Sequence, residues 1–271
     1  MSQGLTSEMK STIRRGLPVT VCGLKIYPIL MTDYETFLLC KNALLVRLRS
    51  LPVEYMTRDY FSALFGLELD TLKKTGKGIG LVSRFLKLLE LSLRIESLNT
   101  QKEGSIRYRT LKDRVDIESI AVVQGDTEVL LKPSDLSHRI RPVIAALNGL
   151  ELPDENENPE LVLANEQKKQ FESRNARELK SSIDDLISSV AYLSHCRETE
   201  IMEWSVREFE ARKRAIDRDK HYTLYGQAEM GGMVKFKNGN PCPSWCYDAL
   251  DESLGTKSLA SIAVDGLQIK N

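Results

Sequence analysis

Long apolar runs are missing from the 271-residue chain. No window approaches the roughly 18 consecutive apolar residues that a membrane-spanning helix requires. The opening stretch MSQGLTSEMKSTIRR lacks the apolar core of a secretory signal, so a cytoplasmic protein is expected. Net charge is missing as well. Basic and acidic side chains number 38 each, which excludes a uniform field able to hold a nucleic-acid backbone or an anionic membrane and leaves only local patches open. Histidine is scarce, at three residues, and the five cysteines, Cys22, Cys40, Cys196, Cys242 and Cys246, form an odd, scattered set. That is not how a secreted disulfide framework is built, and reduced thiols are expected. What is present is an ordinary globular composition, 42% hydrophobic and 28% charged, enough for one large domain or two modest ones whose core needs no disulfide or metal.

Along the chain, Val19 to Tyr27 is rich in β-branched residues, is broken by Gly23 and stops at Pro28, a pattern for a small hairpin. Thr32 and Glu35 have capping-box spacing, and Tyr34, Phe37, Leu38, Leu44, Leu45 and Leu48 then recur with helical period up to Pro52. A second helix is expected from about residue 57 to 74, ended by the glycine-rich stretch 75–80. The apolar residues of 81–98 cover more than half of a helical wheel, which places that helix at the centre of the first domain. Segments 106–109, 117–124 and 127–131 read as strands of a small β insert, about 105–132. Ser134 or Ser137 can open the next helix, with Pro142 in its first turn and Gly149 beyond its end.

Residues 151–160, ELPDENENPE, hold five acidic residues, no basic ones and two prolines, and are expected to form a linker between a domain 1–150 and a helical domain 161–271. In the latter, Leu179, Ile183, Leu186, Ile187, Val190 and Leu193 form an apolar stripe. Ser205 with Glu208 and Trp204 with Phe209 then combine a capping box with a hydrophobic staple. The helix they open should run to about Met230, where Gly231 and Gly232 end it, before a Gly/Pro-rich tail. The fold class is predominantly α with small β elements (α+β): an N-terminal β-hairpin plus a helical bundle, a small β insert and a second helical unit.

Several constellations invite a chemical reading. Gly76-Lys77-Gly78-Ile79-Gly80 suggests a phosphate cradle, but a P-loop needs Ser or Thr where this chain has Gly78, and a dinucleotide fingerprint needs a preceding strand. A plain inter-helix loop is expected. Cys242 and Cys246 are separated by three residues, with no second pair and with His195 and His221 distant, so no metal site is assigned to them. No cysteine stands in a nucleophile signature. In the helix 207–221, Arg207, Arg212, Lys213, Arg214, Arg218 and Lys220 face Glu208, Glu210, Asp217 and Asp219, the mark of a solvated face rather than of a nucleic-acid contact. The segment 221–247 combines Tyr222, Leu224, Tyr225, Met230, Met233, Phe236 and Trp245 with glycine and proline. Such adaptable side chains can serve as a contact surface or fold back to close the core of the second domain.

The stretch CGLKIYPILMTDYETFLLCKNALLVR, residues 22–47, resembles the short β element and helix that open many tail assembly chaperones and related tail-operon proteins of siphophages of Gram-positive bacteria. HRIRPVIAALNGLELPDENENPEL, residues 138–161, and EWSVREFEARKRAIDRDKHYTLYGQAEMGGMVKFKNGNPCPSW, residues 203–245, are similar to blocks in proteins of the same gene neighbourhood. The resemblance implies binding rather than catalysis. A chaperone of this class coats the tape-measure protein, a long helical chain with exposed apolar seams, and recruits tail tube protein in the cytoplasm of the bacterial host. No cofactor, nucleic acid or membrane is implied, and a homo-oligomer is allowed. Tyr222, Tyr225, Met230, Met233, Phe236 and Trp245 are then the expected partner contacts. Two other readings stand beside this one: a structural tail or connector subunit retained in the virion, and a zinc-binding enzyme or regulator built on Cys242 and Cys246.

Overall fold

The computed structural model describes residues 5–96, 98, 106–111, 114–158, 182–232, 234–236 and 267–269, with the single positions 160, 162, 164, 167, 168, 171, 240, 242 and 245. The protein is predominantly α with small β elements, and its backbone divides into two compact units. The first is Met1–Ser181 with Met202–Arg207, and the second is Ser182–Ile201 with Glu208–Asn271.

The first unit opens with helix α1 (Ser7–Arg14), capped by the Thr6 hydroxyl, which accepts from the Met9 amide at 3.2 Å. The hairpin expected from the β-branched run follows as β1 (Val19–Val21) and β2 (Leu24–Ile26), paired antiparallel. Its two-residue turn, Cys22-Gly23, has positive φ at both positions, the conformation that matches the twist of the flanking strands.

The expected long helix after Pro28 is shorter than its apolar period. It is entered through a 3-10 turn, Met31–Asp33, continues as α2 (Tyr34–Cys40), and ends in a second 3-10 turn, Lys41–Leu44. The capping box of Thr32 and Glu35 does not form: Asp33 occupies the cap position without a side-chain hydrogen bond. The far end stops because its carbonyls find partners elsewhere. The Tyr60 hydroxyl donates to the Ala43 carbonyl at 2.6 Å and accepts from the Val46 amide at 3.1 Å. Arg141 Nε donates to the Leu44 carbonyl at 2.9 Å. A phenol and a guanidinium thus take over carbonyls that a continuing helix would have bonded itself.

A short helix α3 (Val53–Met56) leads to α4 (Tyr60–Thr75), and Gly76, in the left-handed region, ends α4 with its amide bonded to the Leu72 carbonyl. Helix α5 (Leu81–Leu93) buries Phe85, Leu88, Leu89 and Leu93. It packs against α2, α4, β2 and the 41–44 turn, which is the central place its apolar wheel called for. The β insert is an antiparallel meander of β3 (Ile106–Leu111), β4 (Arg114–Gln124) and β5 (Thr127–Leu131), with a bulge between Arg107 and Tyr108. Ile117, Ile120, Val122 and Leu131 are buried, and β4 packs on α4. At the end of β4 the Gln124 side chain behaves as a peptide group: its Oε1 accepts from the Lys25 amide and its Nε2 donates to the Lys25 carbonyl, both at 2.8 Å.

The next helix opens earlier than either serine, at α6 (Pro133–Asp135), passes through a π turn Leu136–Ile140, and continues as α7 (Arg141–Leu147). Proline at 142 has no amide to give, and the widened turn before it absorbs that loss. Ser137 serves a different helix from the one expected, because its hydroxyl accepts from the Phe61 amide in the first turn of α4 at 3.0 Å. After α7, Asn148 is buried and ties two segments together. Its Oδ1 accepts from the Ile29 amide at 2.9 Å and its Nδ2 donates to the Ile144 carbonyl at 2.8 Å. Truncation to alanine leaves the Ile29 amide without that acceptor. Asn148→Ala should therefore cost about 2 kcal/mol, read as a lower denaturant midpoint with an unchanged slope.

The acidic stretch expected as a free linker has partners within the first unit. The Glu155 carboxylate accepts from the amides of Leu48 and Arg49, each at 3.2 Å, and Glu157 pairs with Arg47. The division between units falls after Ser181 rather than within 151–160. The return segment 202–207 closes the first unit through the extended segment 29–31: the Val206 amide donates to the Ile29 carbonyl and the Met31 amide to the Trp204 carbonyl, both at 2.9 Å. Leu30 and Ser205 form an isolated antiparallel bridge. Arg207 Nη1 donates to the Ile13 carbonyl at 2.7 Å, placing a cation at the C-terminus of α1.

In the second unit, α8 (Ile183–Ser194) begins with a capping box of Ser182 and Asp185. Hydrogen bonds from the amide and hydroxyl of Ser182 hold the Asp185 carboxyl below the usual aspartate range. Ile187, Val190 and Ala191 are buried, whereas Leu193, counted in the expected stripe, is exposed. Leu179 lies outside the described residues. Helix α9 (Glu198–Met202) and helix α10 (Val206–Met230) follow. The start and end of α10 agree with the cap and glycine signals. Strands β6 (Val234–Phe236) and β7 (Leu267–Ile269) pair antiparallel, with Phe236 opposite Leu267. No helix of the described residues is long and apolar enough to cross a membrane.

Candidate partner-binding surface

The expected contact residues lie on the second half of α10 and on the chain that follows it. Side chains at 218, 221, 225 and 229 share one helical face by the 100° step per residue, and that face carries the later segment. Arg218 Nε donates to the Trp245 carbonyl at 3.0 Å. The Tyr225 ring meets Phe236 edge-on at 5.7 Å and stacks with His221 at 6.1 Å. Asn240 Nδ2 donates to a Glu229 carboxylate oxygen at 3.1 Å, and Asn240 Oδ1 accepts from the Cys242 amide at 2.8 Å.

This pattern splits the six residues by environment. Phe236 is 7% exposed and Tyr225 half-buried, so both hold the segment to the helix. Tyr222 at 38%, Trp245 at 63% and Met230 at 91% present apolar surface to solvent. Met233 lies outside the described residues. Tyr192, which sequence reasoning missed, and Leu224, which belongs to the segment 221–247, are also exposed. Tyr192 sits on α8 off its buried stripe, and Leu224 on α10 stands about 120° around the helix from Met230. The signal that could have found Tyr192 is its position one residue beyond the buried Val190–Ala191 pair.

The zinc reading rests on a pair of which only Cys242 is described. It is half-buried, and Cys246 lies outside the described residues. Among the described residues no group of three or more His, Cys, Asp and Glu side chains could hold a metal ion. His221 is engaged by the Tyr225 ring. In the first unit, a pocket of about 270 Å³ is lined by Met9, Thr20, Val21, Cys22, Arg139 and Val143. Arg139 Nη1 lies 3.9 Å from Cys22 Sγ. That lining offers a thiol and a guanidinium, with no histidine or carboxylate to act as a general base.

The glycine loop between α4 and α5 is an inter-helix turn whose amides already have an anion. The Glu68 carboxylate accepts from Gly80 at 3.2 Å and from Val82 at 2.8 Å, so it occupies the N-terminus of α5 where a phosphate would sit. No protein-family model matches the chain, and neither a curated protein nor a solved structure shows significant similarity to it.

Proposed function

We propose that this protein is a tail assembly chaperone of a tailed phage, acting in the cytoplasm of the bacterial host, that binds the tape-measure protein and assists assembly of the tail tube. The observation that carries the reading is the exposure of Met230, at the end of α10, and of Trp245, on a segment held to α10 by backbone and side-chain hydrogen bonds. Large apolar side chains kept in solvent by a fixed scaffold mark a surface for association, and methionine and tryptophan adapt to varied apolar partners. A helical partner with apolar seams suits such a surface. The role requires no covalent chemistry, and the charged faces of α10 keep the free protein soluble.

Co-expression with the tape-measure protein encoded nearby should yield a soluble complex, and Met230→Asp combined with Trp245→Asp should weaken it about tenfold or more with helical circular dichroism unchanged. Unchanged solubility of the tape measure together with no recovered complex would overturn the proposal. Mass spectrometry of purified particles separates the chaperone from a virion subunit: the chaperone is absent, the subunit present in fixed stoichiometry.

A further inference from the structure

Between Thr71 and Leu89 the neutral chain carries Lys73, Lys74, Lys77, Arg84 and Lys87 and no acidic residue. These positions lie on the end of α4, the glycine turn and most of α5. Lys87 pairs with Glu90 at 3.2 Å. Lys73, Lys74, Lys77 and Arg84 are exposed, and among the described residues none of the four forms an ion pair. The acids nearest along the chain face inward donors. Glu68 holds the amides of Gly80 and Val82, and Asp70 accepts from the Tyr55 hydroxyl. Four cations of one helical hairpin are therefore exposed and outside any ion pair among the described residues. Its turn is open at Gly76, where a Cβ would meet nothing within 4 Å.

We infer that this hairpin is a contact surface for the phosphate backbone of a nucleic acid. Lysine and arginine side chains around a thin turn can each neutralise a phosphate and release condensed counterions, which gives affinity without a base pocket. The cradle itself is not used, since Glu68 fills it. An anionic membrane would also meet these charges; Leu72 and Ile79 at the turn are exposed, at 47% and 39%, but neither is an aromatic interfacial anchor. The balanced charges of α10 provide the contrast: there Arg212 pairs with Glu208 at 3.2 Å.

The test is fluorescence anisotropy of a labelled duplex oligonucleotide with the full chain. Four neutralised phosphates predict affinity falling about 100-fold between about 50 and 200 mM salt. Lys73→Glu with Lys74→Glu and Lys77→Glu should weaken binding at the lower salt about tenfold or more. Lys77→Gln with Arg84→Gln, a milder pair, should lower both affinity and salt slope. Lys213→Glu with Lys220→Glu on α10 should leave binding unchanged, and circular dichroism reports folding of each variant. The inference is overturned by absence of salt-dependent binding, by equal loss in the α10 variant, or by preference for phosphatidylserine vesicles over the oligonucleotide.

Discussion

Arg141→Ala is expected to lower the stability of the first unit by about 3 kcal/mol, through lost hydrogen bonds and a cavity together. Arg141 is buried. Its guanidinium lies 3.4 Å from the centre of the Tyr60 ring, while Nε bonds the Leu44 carbonyl and Nη2 approaches the Val46 carbonyl at 3.5 Å. Burial lowers the pKa of the guanidinium, and the nearby Tyr60 and Glu155 oppose that shift. Removal strips the 44–46 carbonyls of their donor and the ring of its stacking partner at once. Lysine should not rescue it, because one ammonium cannot stack on a ring and span two carbonyls. Equal midpoints for Arg141→Lys and the parent protein in a denaturant titration would refute this account.

Tyr60 gives the same cluster a pH signature. Burial, first among its causes, pushes the phenol up to about 12 in the folded chain, against roughly 10 for a free tyrosine. A group raised on folding adds stability that is complete below the unfolded value and is lost as pH climbs from there through the folded one. The loss should therefore fall between pH 10 and 12, and Tyr60→Phe should flatten it. The flattening is partial, because Tyr55 is also raised, by burial first and then by Asp70.

Phe85→Ala should cost about 4 kcal/mol, the larger of the two effects, since a full ring is removed from a filled core. Phe85 has no exposed surface, its ring stands 5.1 Å from Phe61 and 6.4 Å from Tyr60, and Leu88 and Leu89 are buried on the same helix. Such a loss is a large share of the ordinary 5–15 kcal/mol of a domain, so partial unfolding near 37 °C, roughly body temperature, is expected. Phe85→Leu should cost only about 1 to 2 kcal/mol because most of the volume stays. Val53→Ala, at a side chain 77% exposed, should stay within about 0.5 kcal/mol. A midpoint for Phe85→Ala no lower than that of Val53→Ala would place the ring outside the core.

The elements legible in the sequence were those whose cause is local. The hairpin turn at Cys22-Gly23, the apolar wheel of α5 and the glycines after Met230 each announce themselves within a few residues. What stayed hidden depends on distant partners. The break after Leu44 needs Tyr60 and Arg141, the latter 97 positions away. The attachment of the acidic stretch needs Arg47 and the amides beside it. Ser137 looked like the start of its own helix and instead caps α4. At the candidate surface, composition marked the right segment but could not separate Phe236 from Met230. Phe236 meets the Tyr225 ring and its strand pairs with 267–269, some thirty positions on by sequence number, whereas Met230 ends α10.

The segment 29–31 is joined by residues 204–206, so the N-terminal module is discontinuous in the gene order. A nascent polypeptide halted at Ser181 leaves the Ile29 carbonyl and the Met31 amide unmatched. Translation supplies about 5–20 residues per second, so their closing partners arrive about 1–5 s later. During that delay the growing chain exposes an incomplete hydrophobic interior, which makes synthesis rather than the finished state the period of greatest exposure to proteases and to aggregation.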